Sequence, residues 1–164
     1  MSTKDITLAV ITLSDRCFNK EREDLSGPFI INYLLQNNYS KAKYLLLPDD
    51  KDLLRKALLD LSDNEKIDLI LTTGGTGFSE RDITPEVTLS VATKNAPGIS
   101  EAIRAFSLTK TKHAMLSRGV SVIRNSTLII NLPGSPSACQ DALNVIIEAL
   151  PHGIGLLRGE KLDK

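Results

Sequence analysis

Cysteine is scarce in this chain of 164 residues: there are two, Cys17 and Cys139, far apart and in no CxxC spacing. That pattern excludes a zinc ribbon or a disulfide framework and fits a reducing compartment. Excess charge is lacking too, with 20 Lys and Arg against 20 Asp and Glu. Nothing in the composition supplies the positive field that drives sequence-independent nucleic-acid binding, so nucleic acid is not an expected partner. Long hydrophobic runs are missing as well. The first apolar run, Ile6 to Leu13, is broken by threonines, is too short to span a bilayer and follows no signal-like pattern, so a cytoplasmic protein without membrane attachment is expected. The two histidines, His113 and His152, are isolated and imply no metal triad. Internal repeats, low-complexity tracts and linkers are absent, and 41% hydrophobic residues suffice for one domain over residues 1–164.

What is present alternates strand-like apolar runs with amphipathic helical stretches, the pattern of an α/β fold with a mainly parallel sheet. Ile6 to Leu13 reads as a first strand. Ser26 is placed to cap a helix whose apolar face carries Phe29, Ile30, Tyr33 and Leu34. Leu45 to Leu47 ends a second strand, and Leu53, Leu54, Ala57, Leu58 and Leu61 have helical spacing. Beyond the third strand, Glu101 to Lys110 reads as a helix. Val120 to Arg124 and Leu128 to Leu132 read as strands joined by a turn at Asn125-Ser126, and Ala138 to Leu150 as one closing helix. The tail from Arg158 to Lys164 is polar enough to fray.

The most informative segment is Leu69 to Glu86, LILTTGGTGFSERDITPE. Leu69, Ile70 and Leu71 form a buried-strand run, and Gly74, Gly75 and Gly77 permit backbone angles and close approaches that side chains forbid. Thr84, Pro85 and Glu86 follow in the order of an N-cap, a first helical residue without an N–H and an acid in the first turn. Such a loop is either a phosphate cradle or a tight strand-to-helix connection. Arg81, with its planar donor fork, and Asp82, beside a helix start, favour the cradle. Neither GK[ST] nor GxGxxG is present, which disfavours a P-loop NTPase and a Rossmann dehydrogenase.

The strand ends carry Ser14-Asp15, Asp49-Asp50 and Thr72-Thr73-Gly74, and in open α/β sheets ligands bind beyond such carboxyl ends. Asp49 and Asp82 suit Mg²⁺ held between protein and substrate phosphates; the competing reading is helix capping by Asp49 or Asp50. Ser14 and Asp15 fit a ligand contact or ordinary turn chemistry. Ser117 and Arg118 precede a strand and fit a second anion site or a solvated arginine, and Ser107 carries the same two readings. Pro133 and Gly134, with Pro136, stiffen a loop that serves as a substrate wall or a plain turn. Cys17 and Cys139 read as packing residues.

TTGGTGFSERDITPE at 72–86, with LSDR at 13–16, DLSGP at 24–28, LPDD at 47–50, MLSRG at 115–119 and NLPGSP at 131–136, resembles the signature of a molybdenum cofactor biosynthesis family. That family contains molybdopterin adenylyltransferase, the Mog and MoaB type proteins and the G domain of gephyrin. The resemblance implies a MoaB/Mog-like molybdopterin-binding fold, a three-layer α/β sandwich, commonly a homotrimer. It implies transfer of AMP from Mg-ATP to the terminal phosphate of molybdopterin with release of pyrophosphate, the product passing to a molybdenum insertase. On this likeness Asp49 and Asp82 are the catalytic, Mg²⁺-holding acids. Gly74, Gly75, Thr76 and Gly77 form the nucleotide loop, with Ser14, Asp15 and Asp24 as further pocket residues. Ser107, Ser117 and Arg118 match the pterin side, together with Arg81 near the phosphates. The presence of Arg81, Asp82 and Thr84 places the chain with the active transferases; the other reading is a carrier that binds molybdopterin without turning over ATP.

Overall fold

The continuous apolar runs become the middle of one sheet. In the computed structural model, which describes residues 2–161, the strands are β1 (Leu8–Leu13), β2 (Lys43–Leu47), β3 (Leu69–Thr73), β4 (Lys94–Asn95), β5 (Ser121–Arg124) and β6 (Thr127–Leu132). Their order is β2-β1-β3-β6-β5-β4, with β2, β1, β3 and β6 parallel and β5 and β4 antiparallel to their neighbours. Every residue of β1, β3 and β6 is buried, as expected of parallel strands covered on both faces. The β5–β6 turn falls where the sequence puts it, with Asn125 at φ +53°, a left-handed conformation that asparagine tolerates.

Seven helices cover the sheet: α1 (Asp15–Phe18), α2 (Ser26–Gln36), α3 (Lys51–Leu59), α4 (Thr84–Val91), α5 (Pro97–Leu108), α6 (Pro136–Ile146) and α7 (Leu150–Leu157). Leu8, Val10, Leu69, Leu71, Leu128 and Ile130 meet α2, α5, α6 and α7 on one face. Ala9, Ile11, Ile70 and Ile129 meet α3 and α4 on the other. The alternation along each strand thus divides one chain into two apolar layers, the expected three-layer sandwich.

Some local expectations change. Ser26 lies inside α2, and its Oγ donates to the Gly134 carbonyl at 2.7 Å instead of capping; Asp24 Oδ1 accepts from Gly27 N at the helix start. Leu53 points outward at 45% exposure, and a π turn over Asp60–Asn64 keeps Leu61 in the core. The helix expected over 101–110 starts at Pro97, whose missing N–H costs nothing in a first turn. The single closing helix is two, because Pro151 opens α7 where it would break a continuous helix.

Arg158, expected to fray, is anchored; residues 162–164 lie outside the described ones. Its Nε and Nη2 donate to the two oxygens of Asp68 (2.9 and 2.6 Å), and Nη2 also reaches the Asp5 carbonyl (2.6 Å). Asp68 Oδ2 accepts from Thr7 N and Thr7 Oγ1 as well. One carboxylate therefore ties the entries of β1 and β3 to the end of α7. Burial alone would raise this acid, but the Arg158 and Thr7 bonds outweigh it and hold it below its ordinary 3.8. An acid depressed on folding contributes stability above its unfolded value and loses it as pH falls through the folded one. Asp68→Ala is expected to lower unfolding free energy by about 2–4 kcal/mol at pH 7. In urea titrations the gap from wild type should shrink as pH drops below the ordinary aspartate range.

Candidate active site

The site is built where β1, β3 and β6 end side by side. Gly74 and Gly75 leave β3 with φ of +96° and +70°. A Cβ on Gly74 would lie 2.3 Å from the Leu13 carbonyl oxygen, and one on Gly75 2.3 Å from Thr84 Oγ1 and 3.3 Å from Asp49 Oδ1. Glycine is thus required both by conformation and by approach. At Gly77 approach alone decides, since a Cβ there would sit 2.8 Å from Asp82 Oδ2.

The loop's carbonyls are all held. Gly74 O accepts from Thr84 Oγ1 (3.0 Å), Gly75 O from Thr84 N (3.1 Å), Thr76 O from Arg118 N (2.9 Å) and Gly77 O from Arg118 Nε (2.7 Å). No described peptide is cis, so the N–H groups of Gly75, Thr76, Gly77 and Phe78 lie opposite those carbonyls. Successive N–H groups presented in this way have the form of a backbone nest. Thr84 is consequently no N-cap: its hydroxyl donates backward to the loop, and α4 starts at Thr84-Pro85 without a side-chain cap.

Three acids gather beside the loop. Asp15 N donates to Asp49 Oδ2 and Asp49 N to Asp15 Oδ1, both at 3.0 Å. Asp50 is the helix cap, its Oδ1 accepting from Leu53 N, which leaves Asp49 available. Asp49 Oδ1 is buried with no hydrogen-bond partner. Burial, followed by the negative charges of Asp15 and Asp82, pushes the Asp49 carboxyl above the usual aspartate value. Asp82 Oδ2 accepts from Ser79 N at 2.9 Å.

Several expected contacts take other roles. Arg81 donates through Nε and Nη2 to Asp15 at 2.8 and 2.9 Å, so this fork grips a carboxylate of the protein, and Asp15 is held low by it. Ser14 Oγ caps α1 through Cys17 N, the turn reading. Arg118 is only partly exposed and is engaged within the protein: besides Gly77 it binds the Asp82 carbonyl (2.8 Å) and Glu86.

The loop divides three openings. A cavity of about 320 Å³ brings Thr76, Gly77, Ser107, Ser117 and Pro133 together with Ile103, Arg104 and His113. A recess of about 180 Å³ is lined by Ser14, Cys17, Asp24, Gly74 and Gly134. Asp49 and Arg81 face a third opening of about 430 Å³. Asp24 accepts from Tyr44 Oη as well as from Gly27 N. Cys139 is a packing residue: burial pushes its thiol up to about 11, and its Sγ lies 3.0 Å from the Pro133 carbonyl. Sequence reasoning missed Arg104 and Asn131. Asn131 donates to Thr72 and Thr88 hydroxyls, both at 3.0 Å, and accepts from Val120 N; an amide inside the apolar run LIINL was the available signal.

Residues 9–152 match the family described as "Probable molybdopterin binding domain". The chain belongs to the molybdopterin-binding domain family. The matched span runs from β1 into α7 and so contains each element that frames the three openings. The chain is 41% identical over 162 residues to the molybdopterin adenylyltransferase of Helicobacter pylori strain J99, covering 96% of this chain and 91% of that protein. It is 39% identical over 156 residues to the molybdenum cofactor synthesis protein cinnamon of Drosophila melanogaster; the match takes in 94% of this chain and spans only 26% of that longer relative. Among solved structures, the molybdopterin biosynthesis enzyme MoaB of Thermus thermophilus superposes with a TM-score of 0.89 at 39% identity, covering 96% of this chain and 99% of that one. A molybdopterin-binding domain with this loop tolerates little at Gly75. Gly75→Ala should destabilise by about 2–3 kcal/mol. Gly98→Ala, where a Cβ meets nothing within 4 Å, should be neutral or slightly stabilising by thermal melting.

Proposed function

We propose that this protein is a molybdopterin adenylyltransferase, transferring AMP from Mg-ATP to the terminal phosphate of molybdopterin. The observation that carries the reading is the pairing of the Gly75–Phe78 N–H nest with the buried, unpartnered Asp49 Oδ1 beside it. An anion receptor next to a carboxylate with one buried, unpartnered oxygen suits a phosphate that arrives with a divalent cation. The H. pylori relative named for this activity matches over nearly the whole of both chains.

A phosphate oxygen of molybdopterin bonds to the α-phosphorus of ATP, the bond from that phosphorus to the bridging oxygen breaks in line, and pyrophosphate leaves. The nest amides stabilise charge on the transferring phosphoryl oxygens, and the protein supplies no covalent nucleophile. Asp49 and Asp82 fit as holders of Mg²⁺. Among the described residues no three His, Cys, Asp or Glu side chains group to hold a metal by themselves, so the nucleotide phosphates would complete the set. Bound Mg²⁺ neutralises phosphate charge. The 320 Å³ cavity with Ser107, Ser117 and Pro133 takes the pterin, and Gly74 with the Asp24 recess lies on the nucleotide side. Homotrimeric assembly, a cytoplasmic location and onward transfer to a molybdenum insertase belong to the same reading; among the described residues no helix is long and apolar enough to cross a membrane.

Purified protein mixed with molybdopterin and Mg-ATP should release pyrophosphate, and binding without release would favour the carrier. Asp82→Asn and Asp49→Asn should each lower turnover at least about a thousandfold with pterin affinity retained. Asp49→Asn should in addition melt higher at pH 7, by roughly 2–4 °C. An acid raised on folding loses stability for the fold as pH climbs from its ordinary 3.8 through the folded value, and the amide removes that loss.

A further inference from the structure

Arg118 lies outside the linings of the three openings, yet it holds the strip of chain on which two of them depend. Beyond Arg118, the side chain that ties residues 77–82 to the rest of the protein is Arg81, through its fork on Asp15. Phe78 is 72% exposed, and Ser79, Glu80 and Arg81 are exposed with it. The strip's own bonds are Asp82 N to Ser79 O (3.0 Å), Ser79 N to the Asp82 carboxylate (2.9 Å) and a long one from Arg81 N to Ser79 Oγ (3.4 Å). Apolar burial therefore contributes almost nothing to fixing this backbone, and polar contacts must offset its conformational entropy.

Arg118 binds the strip at both ends. Its Nε meets the Gly77 carbonyl at 2.7 Å, its Nη2 the Asp82 carbonyl at 2.8 Å, and its Nη1 pairs with Glu86 in the first turn of α4. Its own backbone N–H holds Thr76 O at 2.9 Å. From behind, Arg104 Nη1 donates to the Ser117 and Gly119 carbonyls, both at 3.0 Å, on either side of Arg118. A guanidinium spreads its donors over three nitrogens in one rigid plane, whereas all three donors of an ammonium leave a single nitrogen.

We propose that Arg118 is a positioning residue for nucleotidyl transfer: by holding the Thr76, Gly77 and Asp82 carbonyls it sets the direction of two N–H groups of the nest and the place of the Asp82 carboxylate. It does so without touching substrate. This role rests on the adenylyltransferase reading above, and two measurements separate the fate of one from the other.

The first measurement is amide hydrogen exchange on the intact protein. In Arg118→Met, the hydrogen-bonded amides of Ser79 and Asp82 should exchange at least about tenfold faster than in wild type, with the strands unchanged. The second is steady-state AMP transfer to molybdopterin with Mg-ATP. Turnover should fall about a hundredfold, as expected of a small misplacement, while KM for molybdopterin stays within about twofold. Arg118→Met should cost less when Asp82 is already Asn, because part of its effect runs through that carboxylate. Arg118→Lys, which keeps the charge but not the fork, should show the same pattern more weakly and carries the test if the methionine variant does not fold. A raised KM for molybdopterin at unchanged turnover would overturn the proposal and make Arg118 an anion contact. Unchanged exchange at Ser79 and Asp82 overturns the positioning role alone. Absence of transfer by the wild-type protein overturns the adenylyltransferase reading, and this role with it, whatever the exchange shows.

Discussion

The peptide units from Gly74 to Phe78 all turn their carbonyls toward the protein because two residues, Thr84 and Arg118, hold them there. A trans peptide has only two polar edges, so occupying the oxygen edge decides where the hydrogen edge faces. Glycines make the loop possible, but they do not choose its direction. Thr84 comes from the helix that follows the loop and Arg118 from the approach to β5, so the nest is defined by the closure of the α/β layers and not by its own sequence. The level ends of β1 and β2, with Leu13 opposite Leu47, then bring Asp15 and Asp49 to the same place.

Asp49 shows what that closure costs. A carboxylate held at a strand end by one backbone N–H, with its other oxygen buried and unpartnered, is destabilising for the folded chain taken alone. Asp50, one residue on, performs the ordinary task of capping α3. The doublet thus divides its labour: one acid makes the helix start, and the other is left with an unmet oxygen facing the glycine loop. Arg81 bears on the same cluster from outside, through Asp15, so that its positive charge is already balanced by a neighbouring acid.

Local chemistry was legible in the chain; long-range partners were not. The apolar runs of β1, β3 and β6 announce buried parallel strands, the Asn125 turn appears where its residue type demands, and the acids at strand ends do converge. Thr84 was misread because threonine before proline fits an N-cap, whereas its hydroxyl finds a carbonyl ten residues earlier. Arg118 and Arg81 look alike in sequence to arginines that bind phosphate or face water, since five donors serve a substrate oxygen, a carboxylate or a peptide carbonyl equally well. Only the fold says which acceptor is in reach. Arg104, amid an ordinary amphipathic stretch, gave no sign at all.

The sheet's antiparallel side ends on β4, which is two residues long and begins with a lysine. So short and charged an edge is a poor template for another chain's backbone. On this flank the protein resists edge-to-edge aggregation by construction, because another chain's strand has almost no backbone there to extend.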